Sequence, residues 1–128
     1  MSTTIILCPE NQSFQRFLAR RSPSCARPVY YRYPFGAAKS GCECVPGYLK
    51  HNGNCVPVAD CPKPKEPCYK VLLEYKLGSV TEKPDCDRNG KFETVRCNGD
   101  FENLECFCVD PETGKEIPGT RTKKYPSC

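Results

Sequence analysis

The chain has 128 residues, of which 12 are Cys, 13 Pro and 9 Gly, while Trp is absent and His occurs once. Only 38% of the residues are hydrophobic, too few for the large core of an ordinary enzyme, and so many cysteines are typical of small domains stabilised by disulfides. The net charge is +4, with the excess in residues 1–61, which hold 7 Lys/Arg against 3 Asp/Glu, whereas residues 62–128 hold 12 of each.

The even cysteine count favours an oxidising compartment, so we predict a secreted, extracellular protein. The apolar run at residues 3–7 is too short for the core of a signal peptide, and we expect Met1 to follow a leader that has been removed. No run reaches the roughly 20 apolar residues of a membrane helix, so we expect no membrane partner.

The positive charge of the first half comes mainly from arginines. An acidic glycan is one partner that this cluster could bind weakly, and a solvated face is the alternative. We expect no nucleic acid partner, because no nucleic-acid module is recognisable. The arginines are Arg16, Arg20, Arg21, Arg27 and Arg32.

A proline-rich stretch divides the chain. Residues 62–67 contain three prolines between Cys61 and Cys68, which favours an extended linker with few contacts. Six cysteines lie on each side, so each half can close by itself with three disulfides. Spacing alone leaves 15 connectivities open for each set. We therefore predict a domain at 1–61, a linker at 62–67 and a domain at 68–128.

Regular structure is predicted to be sparse. In the second half, apolar spacing predicts a helix over residues 66–76 that ends before Gly78, and short strands at 91–97 and 105–109 around a turn at 98–100. In the first half we expect one or two helical turns within 13–21 and a hairpin of 42–49 and 54–57 around Asn52 and Gly53. The predicted fold class is small and disulfide-rich, with two cysteine-stapled modules.

Enzymatic chemistry is a poor fit. The one histidine, His51, lies in a predicted turn rather than beside a nucleophile. The C-x-x-C spacing typical of zinc sites does not occur, so we expect no metal and no cofactor. Asn11 begins the sequence Asn-Gln-Ser, an acceptor for N-linked glycans in a secreted chain.

The second half carries the motifs PDCDRNGKF at 84–92, RC at 96–97, CFCV at 106–109, GTR at 119–121 and a final Cys128. In this order they resemble a thyroglobulin type-1 domain over residues 68–128. Two departures are Phe107, where the family usually has Trp, and Arg96, where it usually has Gln. The resemblance implies an N-terminal helix, a small sheet and the pairs Cys68–Cys86, Cys97–Cys106 and Cys108–Cys128.

Some members of that family inhibit papain-like cysteine proteases by inserting a wedge of loops into the substrate cleft, while others are spacers or carry other binding sites. The resemblance implies a wedge formed by residues 77–82, 99–103 and 110–114. A solvated hairpin end is the alternative for the acidic tip at 99–103. The wedge candidates are Leu77, Gly78, Ser79, Val80, Asp100, Phe101 and Asn103.

The first half carries CPEN at 8–11, PSC at 23–25, GCECVPGY at 41–48, NGNCVP at 52–57 and Cys61. It resembles a trypsin-inhibitor-like cysteine-rich domain over residues 8–61, a family that normally has ten cysteines. The six present match the first, fourth and last four of these. The resemblance then implies Cys8–Cys42, Cys25–Cys61 and Cys44–Cys55, with no orphan thiol.

The reactive loop of that family lies between the fifth and sixth cysteines, which are absent here. The matching stretch is 27–36, where Arg32 suits a trypsin-type pocket and Phe35 a chymotrypsin-type pocket. Losing two flanking disulfides removes rigidity, so the loop could instead be cut as a substrate. The alternatives are a reused protein-binding patch and aromatics that only pack on the scaffold. The patch candidates are Tyr30, Tyr31, Arg32, Tyr33 and Phe35.

Together these observations predict a secreted, monomeric protease inhibitor that acts by steric occlusion. The second module is expected to act on papain-like cysteine proteases and the first on serine proteases. The alternative is a non-inhibitory extracellular protein that binds a growth factor, complement or matrix partner through the basic aromatic loop.

Overall fold

A computed structural model describes residues 7–15, 23–29 and 40–128. The chain divides into two compact units, residues 1–63 and residues 64–128, called here the first and the second module. Each contains three disulfides and its own short antiparallel strands. This architecture confirms the predicted fold class, a small disulfide-rich protein with little regular structure.

The first module opens with a two-stranded sheet that brings distant segments together. Strand β1, Gln12–Gln15, runs antiparallel to strand β2, Gly41–Cys44, with Phe14 opposite Cys42. The helical turns predicted for 13–21 are therefore wrong at 13–15, and the remaining residues of that stretch lie outside the described part of the chain. Backbone pairing with β2, together with the Cys8–Cys42 disulfide, outweighs the weak local helical pattern.

A tight hairpin follows in the first module. Strands β3, Tyr48–His51, and β4, Asn54–Pro57, pair antiparallel with His51 opposite Asn54. Asn52 and Gly53 form the turn with φ values of 50° and 83°, the left-handed backbone that a two-residue hairpin needs. The predicted turn is confirmed, but the predicted strand 42–49 is wrong, because the chain bends at 45–47 and β2 pairs with β1 instead.

The second module begins with helix α1, Pro67–Lys76. Pro67 occupies the first turn, where its missing N–H costs nothing, and the Cys68 N–H donates to the Gly90 carbonyl at 2.8 Å. The helix buries Cys68, Tyr69, Leu72 and Leu73 in the core. The predicted helix is confirmed, one residue shorter at its start.

A two-stranded sheet completes this module. Strand β5, Val95–Asn98, runs antiparallel to strand β6, Glu105–Cys108. The predicted strand 91–97 is too long at its start, because the Phe92 N–H donates to the Pro111 carbonyl and the Glu93 N–H to the Asp85 carbonyl. Those bonds join the segment before β5 to loops rather than to β6.

The core of the second module forms around α1 and β6. Phe92, Phe107 and Val109 pack with the Cys68 side chain, and all of them are buried. Phe107 therefore fills the apolar position at which the thyroglobulin type-1 pattern that this half resembles usually has Trp. The Arg121 guanidinium lies 5.2 Å from the centre of the Phe107 ring and covers one face of it.

Six disulfides link the twelve cysteines, and the described residues include no free thiol. Each C-x-C joins one strand to two partners. Cys42 and Cys44 bond to different segments of the first module, and Cys106 and Cys108 do the same in the second. The pairs are those that the two resemblances imply: Cys8–Cys42, Cys25–Cys61, Cys44–Cys55, Cys68–Cys86, Cys97–Cys106 and Cys108–Cys128.

Candidate functional site

The loop after α1 is fixed by the bonds that end the helix. The Leu77 N–H donates to the Leu73 carbonyl, and the N–H groups of Gly78 and Ser79 donate to carbonyls of the last helical turn, each at 3.0 Å. These bonds satisfy helix carbonyls that would otherwise lack partners. Leu77 keeps 45% of its surface exposed, so an apolar side chain projects from a well-defined backbone.

The tip between β5 and β6 is fixed by hydrogen bonds within the turn and by a disulfide between its two strands. The Asn103 N–H donates to the Asp100 carboxylate at 2.8 Å and to the Asp100 carbonyl at 3.2 Å. The Cys97–Cys106 disulfide joins the two strands that carry the tip. Phe101 is 99% exposed, the largest exposure among the large hydrophobic side chains that the structure describes.

The third wedge segment, residues 110–114, is a hydrogen-bonded turn. The Gly114 N–H donates to the Asp110 carbonyl at 2.7 Å, and the Glu112 N–H to the Asp110 carboxylate at 2.8 Å. Gly114 has a φ of 75°, and a Cβ there would lie 2.8 Å from an atom of the Phe92 ring. Glycine is therefore required at this position for two independent reasons.

The structure brings two of the three wedge segments to one cleft of about 210 Å³. Val80 lines this cleft from the loop after α1, and Thr113 and Gly114 line it from the third segment. The candidates at the tip, Asp100, Phe101 and Asn103, are not among the residues that line it. The cleft itself is a feature that the sequence did not reveal, because its walls come from segments far apart in the chain.

Ion pairs surround these loops. The Arg96 guanidinium lies 3.8 Å from the Glu82 carboxylate, so the arginine that departs from the family pattern contacts the loop after α1. The Lys91 ammonium lies 2.8 Å from the Glu112 carboxylate, and the hydrogen bond to Glu112 raises the pKa of Lys91. The Lys91–Glu112 pair is exposed on both sides and the Arg96–Glu82 pair at Glu82, so both contribute little to stability.

A bidentate pair near the end of the chain fixes Arg121 over the core. Its Nε and Nη2 donate to the two Glu116 carboxylate oxygens at 2.8 Å and 2.7 Å. The hydrogen bond to Arg121 lowers the pKa of Glu116 and, reciprocally, raises the pKa of Arg121. This pair positions the guanidinium on Phe107 rather than presenting it for binding.

The patch candidates of the first module lie outside the described residues: Tyr30, Tyr31, Arg32, Tyr33 and Phe35. The start of that stretch is described. The Arg27 N–H donates to the Ser24 carbonyl and hydroxyl, each at 3.1 Å, and the Pro28 side chain is fully buried. Of the five arginines of the predicted glycan-binding cluster, only Arg27 falls within the described residues.

Asn11 lies in a turn with a φ of 62°, and its carbonyl accepts from the Val45 N–H at 2.9 Å. Glycosylation there stays a prediction. Within residues 7–15, 23–29 and 40–128, no helix is long and apolar enough to cross a bilayer. No group of His, Cys, Asp and Glu in the same ranges is arranged to hold a metal ion.

The fold and its disulfides define a small two-module protein of the extracellular cysteine-rich type. Residues 8–61 match the family model of the trypsin inhibitor like cysteine rich domain, and residues 74–128 match that of the thyroglobulin type-1 repeat. Each half of the chain therefore matches one family model, in the order that the two resemblances implied. At the family level these are inhibitor or binding domains rather than enzymes.

Three relatives illustrate the two halves. A venom serine protease inhibitor of Apis cerana is 42% identical over 42% of this chain and 63% of its own length. Equistatin of Actinia equina is 44% identical over 35% of this chain and 18% of its own length. Insulin-like growth factor-binding protein 1 of Ictidomys tridecemlineatus is 35% identical over 56% of this chain and 32% of its own length.

In each of these cases the chain covers less than two thirds of the relative's own length. No solved structure matches the chain.

Proposed function

We propose that this protein is an extracellular protease inhibitor whose second module blocks the active-site cleft of papain-like cysteine proteases. The observation that carries this proposal is Phe101, which is 99% exposed at the tip of a disulfide-closed, hydrogen-bonded turn. The Phe101 ring contributes nothing to the module's own core. Aromatic side chains are enriched in protein interfaces, so Phe101 offers a partner an apolar contact.

The rigidity of the wedge supports inhibition rather than transient contact. The tip and the loop after α1 are both fixed by backbone hydrogen bonds before any partner binds. Preorganised loops lose little conformational entropy on binding, so contact energy converts into affinity. The mechanism is steric, since Leu77 and Phe101 are hydrocarbon side chains that enter the substrate cleft of the protease and perform no chemistry.

The proposal is tested by titrating a cathepsin L-like protease of known active-site concentration with the full chain. We expect stoichiometric loss of activity for the native chain. Phe101→Ala should raise the inhibition constant about 30-fold, the cost of removing one buried aromatic anchor from an interface. Both proteins should unfold at the same denaturant concentration, because Phe101 makes no core contact.

Tyr125→Ala is the matched control, because Tyr125 is also an aromatic with high exposure, 78%, but belongs to none of the three wedge segments. It should inhibit as the native chain does. Equal weakening by both substitutions, or none by Phe101→Ala, would remove the tip from the mechanism.

A second candidate function, inhibition of serine proteases by the first module, is favoured by the similarity to the venom serine protease inhibitor. Pro28 is fully buried and would anchor the start of the reactive stretch. We expect Arg32→Ala to abolish inhibition of trypsin while leaving inhibition of the cysteine protease unchanged. Rapid and irreversible cleavage after Arg32, seen by mass spectrometry, would make the loop a substrate instead.

The alternative function, a non-inhibitory protein that binds a growth factor, complement or matrix partner, is supported by the similarity to insulin-like growth factor-binding protein 1. It would use the basic aromatic loop with Tyr31 and Arg32. Full activity of cysteine and serine proteases at micromolar chain, together with saturable binding of an insulin-like growth factor, would favour this alternative.

A further inference from the structure

The cleft of the second module combines an apolar floor with charged residues at its rim, which a protease wedge does not require. Four apolar side chains from the helix, the sheet and the core form the floor: Val71, Phe92, Val95 and Val109. Its volume of about 210 Å³ is below the several hundred Å³ typical of small-molecule sites. The cleft is therefore of a size for one long side chain rather than for a cofactor.

The rim of the cleft carries more negative than positive charge. Glu82, Asp85 and Glu93 line it together with a single cation, Arg96. Arg96 lies 3.8 Å from Glu82, which accounts for one carboxylate. Within the described part of the chain, no ion pair reaches Asp85 or Glu93.

Asp85 and Glu93 are held next to each other by the backbone. The Glu93 N–H donates to the Asp85 carbonyl at 2.9 Å, which joins the loop before Cys86 to the segment before β5. Both residues line the cleft, so they place two carboxylates beside its apolar surface. A cation bound there would gain a favourable interaction with each carboxylate.

We propose that this cleft binds one arginine or lysine side chain from an extended segment of a partner protein. The methylene groups of the guest lie on the apolar floor, and its cationic head contacts Asp85 and Glu93. Gly114 supports the arrangement, because a side chain there would press on the Phe92 ring that forms part of the floor. The proposal goes beyond protease inhibition, since a chain that inhibits nothing can still bind a basic segment here.

The test is an NMR titration of the full, ¹⁵N-labelled chain with N-acetyl-arginine methylamide. The uncharged isostere N-acetyl-citrulline methylamide serves as the control probe. We expect saturable shifts confined to amides around the cleft, such as those of Val80, Val95 and Gly114, with a millimolar dissociation constant. The citrulline probe should produce much smaller shifts, because it lacks the charge.

Glu93→Gln should weaken binding of the arginine probe about 3-fold, the size expected for one exposed ion pair. Glu102→Gln makes the same charge change at the tip, outside the cleft, and should leave binding unchanged. Equal shifts from both probes, shifts spread over other surfaces, or equal effects of the two substitutions would overturn the proposal. So would cleft shifts that appear on concentrating the chain alone, since they would make a second copy the occupant.

Discussion

The two modules reach stability by different routes, although each has three disulfides. In the first module the described buried hydrophobic side chains are two cysteines with Leu49 and Val58, joined by the fully buried Pro28. The second module buries two leucines and three aromatic rings around α1 and β6: Tyr69, Leu72, Leu73, Phe92 and Phe107.

The disulfides differ in the same sense. Two of those in the first module span 34 and 36 residues, whereas those in the second span 18, 9 and 20. A longer closed loop removes more entropy from the unfolded chain. The first module therefore depends on covalent closure, and the second combines short disulfides with a packed core that can hold its loops in place.

The largest effect is expected from removing the longest bridge. Cys25→Ala with Cys61→Ala should cost the first module about 4 kcal/mol by the loop-closure relation, enough to unfold a domain whose described residues bury so few apolar side chains. Cys97→Ala with Cys106→Ala should cost the second module about 2.5 kcal/mol.

Hydrogen exchange followed by NMR separates the two modules, because each variant should lose protection only in its own module. The comparison would fail if the shorter bridge proved the more important one.

Phe92 tests the packed core of the second module. Phe92→Ala removes a buried ring, and we expect a loss of about 3 kcal/mol, within the range for such truncations. Chemical denaturation of the full chain, followed by amides of the second module, measures it. Phe101→Ala deletes the same ring from an exposed position and should change the free energy of unfolding by less than about 0.5 kcal/mol. A similar loss for both would contradict the assigned core.

Gly114 tests whether the loop that lines the cleft requires glycine at this position. Gly114→Ala should cost about 2 kcal/mol, since it combines a strained positive φ with contact against the Phe92 ring. Gly119→Ala is the control, because Gly119 has a φ of 78° and nothing within 4 Å of the added Cβ. It should cost only the backbone strain, about 1 kcal/mol. Equal costs would show that the ring moves aside freely.

The smallest effect concerns the Glu116–Arg121 pair and depends on pH. Because Arg121 lowers the pKa of Glu116 in the folded chain, the stabilisation is fully present above the pKa of the unfolded chain. It is lost as the pH falls through the folded value.

Glu116→Gln should therefore unfold at a slightly lower urea concentration at neutral pH and match the native chain in acid. A gap that widens on acidification would have the wrong sign for this pair.

Local features of the sequence predicted local structure well. Apolar spacing and Gly78 identified α1 almost to the residue, and Asn52 with Gly53 identified the β3–β4 turn. The pairing of β1 with β2 could not be found in this way, because its two strands are 25 residues apart and short. Only the Cys8–Cys42 bridge, implied by family resemblance, points to that contact.

The candidate site shows the same contrast between features that local sequence predicts and features that depend on packing between distant segments. The hydrogen-bonded tip around Phe101 follows from turn residues within one hairpin. The cleft could not be predicted, because Val71, Val95 and Gly114 meet only after α1, β5 and the loop 110–114 have packed. Packing between distant segments has no signature in the local pattern of residues.

The most direct test of the proposed function is the residual activity of a cathepsin L-like protease titrated with the full chain at concentrations near that of its active sites. Our account predicts a linear decline that ends at one chain per active site, as expected for tight occlusion of the cleft. Full activity in the presence of a micromolar excess of correctly disulfide-bonded chain would contradict it.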